Sequence, residues 1–144
     1  MTTRIALLSV CFTLMGCAEK VFVRDTPMPG KAQLYVYRPS KFLGAALNIP
    51  GNVVQTTSGS TRSFPVRNNK FVVTLVDPGR TVFTTLGPDG KGVTVPIDLP
   101  DNGMAFIRCE MRMGWLMGGL GCAVVGPDVG EHEVAECKRN ELGD

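Results

Sequence analysis

The sequence predicts a single small all-β domain, built mainly from antiparallel strands as a β-sandwich or a partly open barrel, with one short C-terminal helix. Three observations support this prediction. The chain has 144 residues, which is the size of one domain. Its 17 glycines and 10 prolines favour turns over long helices. Between these turns, apolar and polar residues alternate over short runs, as they do in half-buried strands.

The predicted strands are short and are separated by clear turn signals. In residues 33–38, Tyr35 and Tyr37 share one face, and residues 93–99 show the cleanest alternation of the chain. The predicted strands cover residues 33–38, two short pieces within 45–56, 63–66, 70–76, 81–86, 93–99, 104–111 and 120–125.

Proline and glycine indicate where these strands end or lie at an edge. Pro50-Gly51-Asn52 is expected to form a turn that interrupts the second strand region. Asp77-Pro78-Gly79 is expected to be the turn of a hairpin formed by residues 70–86. Pro65 and Pro96 lack a backbone N–H, so the strand of Pro65 is expected at a sheet edge and that of Pro96 at an edge or a bulge.

The one helix predicted for the domain lies near the C-terminus. Asp128 is expected to be its N-cap, with Glu131 three residues later as in a capping box. The helix would carry residues 131–139. It would end at Lys138 and Arg139, whose positive charges suit the C-terminal end of a helix dipole.

The first 16 residues have the order of a secretory signal peptide. Arg4 provides the positive charge, and residues 5–15 form an uncharged, mostly apolar stretch. This stretch has the length of a signal core and is too short to span a bilayer. The stretch leads into Leu14-Met15-Gly16-Cys17, which resembles the lipobox of bacterial lipoproteins. In that family a peptidase cleaves before the cysteine, and acyl chains such as palmitate are attached to it.

The lipobox resemblance implies domain boundaries and a location. Cleavage would fall between Gly16 and Cys17, so that Cys17 carries the lipid and anchors the protein stably. Ala18, where an aspartate would imply inner-membrane retention, implies the outer membrane of a Gram-negative cell, with the domain facing the periplasm. The predicted organisation is a signal peptide at 1–16, a lipidated N-terminus with a Pro-rich tether at 17–30, within which 21–23 could form a short strand, and a β-sandwich domain at 31–144.

Three of the five cysteines lie in the predicted domain, and an exported protein meets an oxidising compartment in which disulfides form. A bridge between Cys109 and Cys137 is favoured, because a short terminal helix gains most from a covalent tie. Cys109–Cys122, which would cross a hairpin, stays open as an alternative. Cys122 lies in an apolar run and is expected to be a buried free thiol. With His132 the three cysteines have the composition of a zinc site, but no C-x₂₋₄-C spacing occurs, so no metal is expected.

The sequence contains no catalytic signature. His132 is the single histidine and lies between two glutamates, which is typical of a solvated side chain. No G-x-S-x-G elbow occurs, and the glycine-rich residues 87–92 lack the Lys-Ser/Thr of a phosphate loop. The net charge of +2 is spread along the chain, which excludes a basic nucleic-acid surface. We therefore expect no enzymatic activity, no cofactor and no nucleic-acid partner.

An uncharged, glycine-rich stretch covers residues 114–126. It is too short to span a membrane, and its end, residues 120–125, is expected to form a buried strand. Trp115, Leu116 and Met117 have two interpretations. The favoured one is that they fold over the sheet as part of the core. The other is that they form an exposed interaction surface for a partner, a membrane or a hydrophobic ligand.

From about Ala32 to Leu142 the chain resembles a family of small bacterial envelope lipoproteins with a DUF2846-like domain of unknown function. The resemblance rests on residues 32–39, the expected hairpin that runs from Phe71 to Asp77-Pro78-Gly79, residues 105–109 and the ending 129–138. It implies a small β-sandwich of the PEGA-like or Ig-like kind, and it departs at residues 58–66, where the family's clear hairpin is missing. The family carries no assigned activity, so the resemblance adds a fold and a place rather than a mechanism.

The expected function is that of a membrane-anchored, non-enzymatic envelope lipoprotein that binds another envelope component. The anchor, the tether and the missing catalytic groups all favour this interpretation. The alternative is a lipid or hydrophobic-ligand carrier that uses the segment from Gly114 to Val125. The sequence does not name the partner protein.

Overall fold

The computed structural model describes residues 19–56, 58–113 and 118–140, and these residues form nine strands and one helix. The strands are β1 (Ala32–Arg38), β2 (Ile49–Gln55), β3 (Thr61–Val66), β4 (Lys70–Val76), β5 (Gly79–Leu86), β6 (Gly92–Leu99), β7 (Met104–Arg112), β8 (Gly119–Val125) and β9 (Lys138–Arg139), and the helix is α1 (Pro127–Glu136).

The strands form two sheets that pack face to face, which confirms the predicted β-sandwich. One sheet has five strands in the order β8-β7-β1-β4-β9, and the other has four in the order β3-β2-β5-β6. The four-stranded sheet is antiparallel throughout. The five-stranded sheet also contains two parallel pairs, β1–β7 and β4–β9. Because parallel neighbours need a crossover connection, the five-stranded sheet joins segments that are distant in sequence.

The core between the sheets follows from the alternation seen in the sequence. Leu34 and Val36 of β1 point into it and are almost completely buried, as is Phe83 of β5. Each such side chain contributes about 1.5–3 kcal/mol by leaving water. The cluster is almost entirely aliphatic, and it also contains Ala32, Ile49, Val53, Phe64, Val66, Val72, Val76, Val95, Ile97, Leu99, Ile107, Cys109 and Leu120.

A third layer covers the outer face of the five-stranded sheet. Helix α1 and the extended segment 19–26 lie on this face, over a second buried cluster that contains Tyr35, Tyr37 and Phe106. Phe22 of the extended segment contacts Tyr35 and Phe106 edge-on, at 5.4 and 5.7 Å between ring centroids. All seven residues of β1 are therefore buried, because both faces of this strand are covered.

The segment expected to be a tether thus lies against the domain over part of its length. Residues 21–23 do not form a strand, although Phe22 packs on the sheet. Arg24 donates to the side chain of Gln33 and to the carbonyl of Asn102, at 2.8 Å each. These contacts join residues 19–26 to the sandwich that begins at Ala32.

The predicted hairpin of residues 70–86 is wrong. Strand β4 pairs with β1 and β9, whereas β5 pairs with β2 and β6 in the other sheet. The Asp77-Pro78-Gly79 turn therefore carries the chain from one sheet to the other. Short turns of this kind suit either connection, so local sequence alone does not separate a hairpin from an arch between sheets.

The predicted turn at Pro50-Gly51-Asn52 is also wrong, because all three residues lie within the single strand β2. Pro50 pairs opposite Pro65 of β3, and its carbonyl accepts a hydrogen bond from Thr85. A Cβ on Gly51 would lie 3.1 Å from the rings of both Phe64 and Phe83, so the missing side chain makes room for these rings. The proline prediction for the strands of Pro65 and Pro96 is confirmed, since β3 and β6 are the edges of their sheet.

The C-terminal helix exists, but its predicted ends are wrong. Gly126 is the N-cap residue and Pro127 opens the helix, so Asp128 lies in the first turn and does not cap it. The helix ends at Glu136, and Lys138 and Arg139 form β9 beside β4. Strand β8 is likewise an edge strand in which only Leu120 is buried, rather than the buried strand expected.

Candidate functional site

One end of the sandwich, which we call the loop end, carries five of the ten large apolar side chains that are exposed among the described residues, namely Phe42, Leu43, Leu47, Leu86 and Met113. It comprises the loop 39–48 after β1, the turn 87–91 between β5 and β6, and Met113, which follows β7. The pairing register brings these together, because Tyr37 of β1 lies beside Arg108 of β7 in a parallel pair and both strands run toward this end.

Arg38 organises the loop 39–48 from within. Its side chain is 1% exposed, and its guanidinium donates to the carbonyl oxygens of Leu47 at 3.1 Å, Gly44 at 2.6 Å and Leu43 at 3.3 Å. Burial lowers the pKa of Arg38 from its usual range, although a guanidinium remains charged at any ordinary pH. No carboxylate among the described residues forms an ion pair with it. The loop carbonyls therefore bind the two terminal nitrogens of the buried guanidinium, which fixes the backbone of the loop, while Nε has no hydrogen-bond partner among the described residues.

The loop itself consists of two consecutive turns. Ala45 donates to the carbonyl of Phe42 at 3.2 Å, and Leu47 donates to that of Gly44 at 3.0 Å. Gly44 adopts φ +67°, and a Cβ there would lie 2.8 Å from Met111, so this position requires glycine. The loop is thus an ordered structure rather than a slack connection.

This ordered loop presents large apolar side chains to solvent. Phe42 is 100% exposed, and Leu43 and Leu47 are about 40% exposed. Met113, just after β7, is 88% exposed. The sequence patterns placed Met113 in the apolar segment around Trp115 but assigned no role to Phe42, Leu43 or Leu47. A signal for Phe42 and Leu43 was available, because this apolar pair does not alternate and closely follows the strand-ending Pro39-Ser40.

A shallow apolar groove continues this surface along the edge of the four-stranded sheet. Its volume is about 430 Å³, and Ile49, Pro50, Phe64 and Pro65 are among its lining residues. Asn48, the last residue of the loop, also borders it. The groove therefore begins at the last residue of the loop and lies on the side of the sandwich.

The chain enters the described structure at the same end. Lys20 forms an ion pair with Glu136 at the end of α1, with 3.7 Å between Nζ and Oε2. Lys20 also lines one pocket together with Pro39 and Ser40, which directly precede the loop residues Lys41 and Phe42. Lys20 is therefore close to the loop end, whereas Glu19 borders a second pocket beside Asp128 and Glu131 of α1.

The outer layer contains polar side chains that form hydrogen bonds and ion pairs with one another. The hydroxyl of Tyr37 donates to Glu133 of α1 at 2.6 Å, and Arg108 of β7 pairs with the same carboxylate at 3.2 Å. Burial, together with this carboxylate, strongly raises the pKa of Tyr37. Burial also raises the pKa of Tyr35, whose hydroxyl accepts a hydrogen bond from the backbone N–H of Asp25. These groups hold α1 and the N-terminal segment in place, and Glu133 also borders the surface pocket that Lys20 and His132 line.

The favoured disulfide prediction is wrong. Cys109 is bonded to Cys122, and these residues lie directly opposite each other on β7 and β8. Cys137 is the free, buried thiol, and burial raises its pKa to about 11. The predicted Cys109–Cys137 bond is not needed to hold the end of α1, because this end already has other partners. The backbone N–H of Lys138 donates to Asn69, and Cys137 lies in the outer aromatic cluster.

The structure does not bring together the four residues of the zinc alternative. Cys109 and Cys122 are oxidised and cannot act as thiolate ligands, and His132 lies exposed on α1. No group of three potential metal-ligating side chains occurs among the residues that the structure describes. His132 borders two surface pockets, with Lys20 lining both of them.

Two of the predicted sites lie outside the described residues. These are the cleavage and lipidation site at Gly16 and Cys17, and the proposed interaction surface at Trp115, Leu116 and Met117. Within the rest of the Gly114 to Val125 segment, Leu120 packs in the sandwich core, and Cys122 is held by the disulfide. Hydrophobic-ligand binding by this segment stays a prediction.

No protein-family model matches this chain, and no curated protein is significantly similar to it. The resemblance to lipoproteins with a DUF2846-like domain therefore stays a prediction from the motifs quoted above. Among the described residues, no helix has the length and hydropathy needed to cross a bilayer.

Proposed function

We propose that this chain is an exported lipoprotein, held at the outer membrane by a lipid on Cys17, whose β-sandwich is a non-catalytic binding or accessory module facing the periplasm. The observation that carries the proposal is the order of charge, apolar stretch and Leu14-Met15-Gly16-Cys17 within the first 17 residues. Each part alone is common, but their order matches the signal of a lipoprotein.

Two features of the fold support export. The Cys109–Cys122 disulfide suits an oxidising compartment, because cytosolic thiols are kept reduced. The first described residues also lie on the outer face of the sandwich, with Lys20 paired to Glu136 near its loop end. A lipid two residues before Glu19 would hold the domain close to the membrane surface.

The proposal of a binding module rests on the apolar groove lined by Ile49, Pro50, Phe64 and Pro65, beside the ordered loop 39–48. Arg38 fixes the backbone of this loop through three carbonyl groups. An apolar surface that is held rigid loses little conformational entropy on binding, which favours recognition. In-cell crosslinking from the groove should recover a defined envelope partner. Recovery of abundant structural lipoproteins alone would count against a specific one.

Mass spectrometry of the mature N-terminus tests the anchor. We expect a chain that starts at Cys17 with acyl and diacylglyceryl groups attached, and that sediments with outer-membrane fractions. The Cys17→Ala variant should lose the lipid mass and the processing. Cys11→Ala is the matched control, because it removes a cysteine from the signal core and should leave lipidation intact. A protein that still begins at Met1 would refute export and lipidation together.

A further inference from the structure

We propose that the loop end is a membrane-facing surface, and that Phe42, Leu43 and Leu47 insert into the interface of the bilayer to which the protein is anchored. This inference rests on the proposed function, since it takes the membrane to be the one that holds Cys17. It adds an orientation and a second contact, which the anchor alone does not supply.

The first argument is the position of the chain entry. Lys20 lines the same pocket as Pro39 and Ser40, and Phe42 follows Ser40 by two residues. The lipid-bearing residue is separated from Lys20 by only two residues. An extended chain covers at most about 3.3–3.6 Å per residue, so a lipid on Cys17 would be attached within about 11 Å of Lys20. With this anchor the domain would approach a bilayer with the loop 39–48 foremost.

The second argument is the contrast between the two ends of the sandwich. The turns at the opposite end, Asp77–Gly79 and Pro100–Gly103, are built from proline, glycine and acidic or amide residues. There, Met28 in the N-terminal connection is half exposed. At the loop end the fully exposed Phe42 is joined by Leu43, Leu47 and Met113. Large exposed apolar groups in a cluster mark an interaction site more often than a neutral surface.

The third argument is the chemistry that surrounds these side chains. Lys41 is exposed beside Phe42, and its backbone N–H donates to Asn68, which ties the loop to the turn carrying the exposed Arg67. Basic residues that flank apolar side chains suit the boundary between headgroups and acyl chains. The loop contributes few apolar groups and no long helix, so this contact would be shallow and would depend on the anchor for its strength.

An environment-sensitive fluorophore on single introduced cysteines tests the orientation. The mature chain carries a histidine tag in place of Cys17 and is bound to phosphatidylcholine vesicles that contain phosphatidylglycerol and nickel-chelating lipid. This tether makes the result independent of acylation, which the mass spectrometry above decides separately. The labelled positions are Ala46→Cys in the loop and Asp101→Cys at the opposite end. The native Cys137 is buried and stays unlabelled.

We expect a several-fold rise and a blue shift of the emission at position 46 on vesicles, and no change at position 101. Phe42→Ser with Leu43→Ser should abolish most of this response without affecting the fold, since Phe42 is fully exposed and Leu43 is 41% exposed. Val124→Ser is the matched control, because it removes an exposed apolar side chain from the side of the sandwich and should leave the response intact. Equal signals at both ends, or a response at position 46 that appears without vesicles and grows with protein concentration, would overturn the proposal, the latter in favour of self-association.

Discussion

The two faces of the five-stranded sheet are buried by different kinds of side chain. The inner face meets the other sheet through aliphatic side chains such as Leu34 and Val36, and its stability comes from area removed from water. The outer face is covered by a ten-residue helix and an irregular segment, and it uses aromatic rings and closed polar pairs. A short covering element buries little apolar area, so aromatic rings and charge-assisted hydrogen bonds supply much of the stability of this layer. Disruption of the inner face is therefore expected to unfold the whole domain, whereas disruption of the outer face is expected to release α1 and the N-terminal segment first.

Among the changes that distinguish the two faces, truncation of Phe106 is expected to have the largest effect on stability. This ring is fully buried and stacks on Tyr35 at 5.1 Å between centroids. Phe106→Ala should cost about 3–5 kcal/mol of unfolding free energy, measured by urea denaturation. Phe83→Ala on the inner side should cost a similar amount. Hydrogen exchange distinguishes them, because the Phe106 variant should lose protection first in α1. Uniform loss of protection in both variants would contradict two separable layers.

The Cys109–Cys122 bond should contribute the next largest effect. It joins residues separated by 13 positions at the edge of the sheet, with Cys109 in the inner core. Replacement of both by alanine should lower the unfolding free energy by about 2–3 kcal/mol, largely by relaxing the unfolded chain. Alanine at Cys137 is the control and should preserve the oxidised bond. A free-thiol assay of the native chain should detect one thiol from the domain, and three would contradict the bond.

The close approach of α1 to the sheet is tested at Gly130. A Cβ at this position would lie 2.2 Å from Cγ of Phe106, so the helix would have to move away. Gly130→Ala should cost about 1–3 kcal/mol despite the higher helix propensity of alanine. Gly92→Ala is the control, since nothing lies within 4 Å of a Cβ there. Stabilisation by Gly130→Ala would show that α1 is not held against Phe106.

A smaller effect is expected when the hydroxyl of Tyr37 is removed. Tyr37→Phe keeps the ring but loses the 2.6 Å bond to Glu133, whose carboxylate remains paired with Arg108. The unfolding free energy should fall by about 0.5–1.5 kcal/mol. A thermal melt monitored by near-ultraviolet circular dichroism measures it. An unchanged melt would mean that solvent satisfies both groups equally well.

The unfolding free energy is expected to be unaffected by pH near neutrality and to fall as the pH rises above 9. The pKa of Cys137 rises from its usual 9.0 to about 11 on folding, so the unfolded chain loses this proton first. The corresponding stability is therefore complete below pH 9 and is lost as pH rises through 11. Burial raises the pKa of Tyr35 and Tyr37 above 10.0 as well, which acts in the same direction. Absorbance titration should show both tyrosines ionising together with unfolding, and normal titration of either in the folded chain would contradict this.

Sequence patterns predicted the strands well and their partners poorly. The alternation in β1 and β6 and the prolines of the edge strands follow from local chemistry, so these predictions are confirmed. The assignment of β4 and β5 to different sheets is a long-range property, which a turn such as Asp77-Pro78-Gly79 does not encode. The same limit explains the wrong cysteine pair, since only the register of β7 and β8 places Cys122 opposite Cys109.

The candidate surface was missed for a different reason. Phe42, Leu43 and Leu47 lie in a loop, where periodicity has no meaning, and their exposure depends on Arg38 holding the backbone from below. A buried arginine at the end of an apolar strand looks like an ordinary strand end in the sequence. Its lack of a carboxylate partner among the described residues becomes visible only in three dimensions.

The position of β1 also sets the order in which the chain can fold. It is the first strand of the described residues and the central strand of its sheet, yet its neighbours β4 and β7 begin only at Lys70 and Met104. A chain that emerges N-terminus first therefore carries this strand without β4 until Val76, and without β7 until Arg112, has followed. Contacts between such distant segments form slowly. The topology thus delays folding until the chain is nearly complete, which is the condition a polypeptide needs if it must remain unfolded while it passes through a translocation pore.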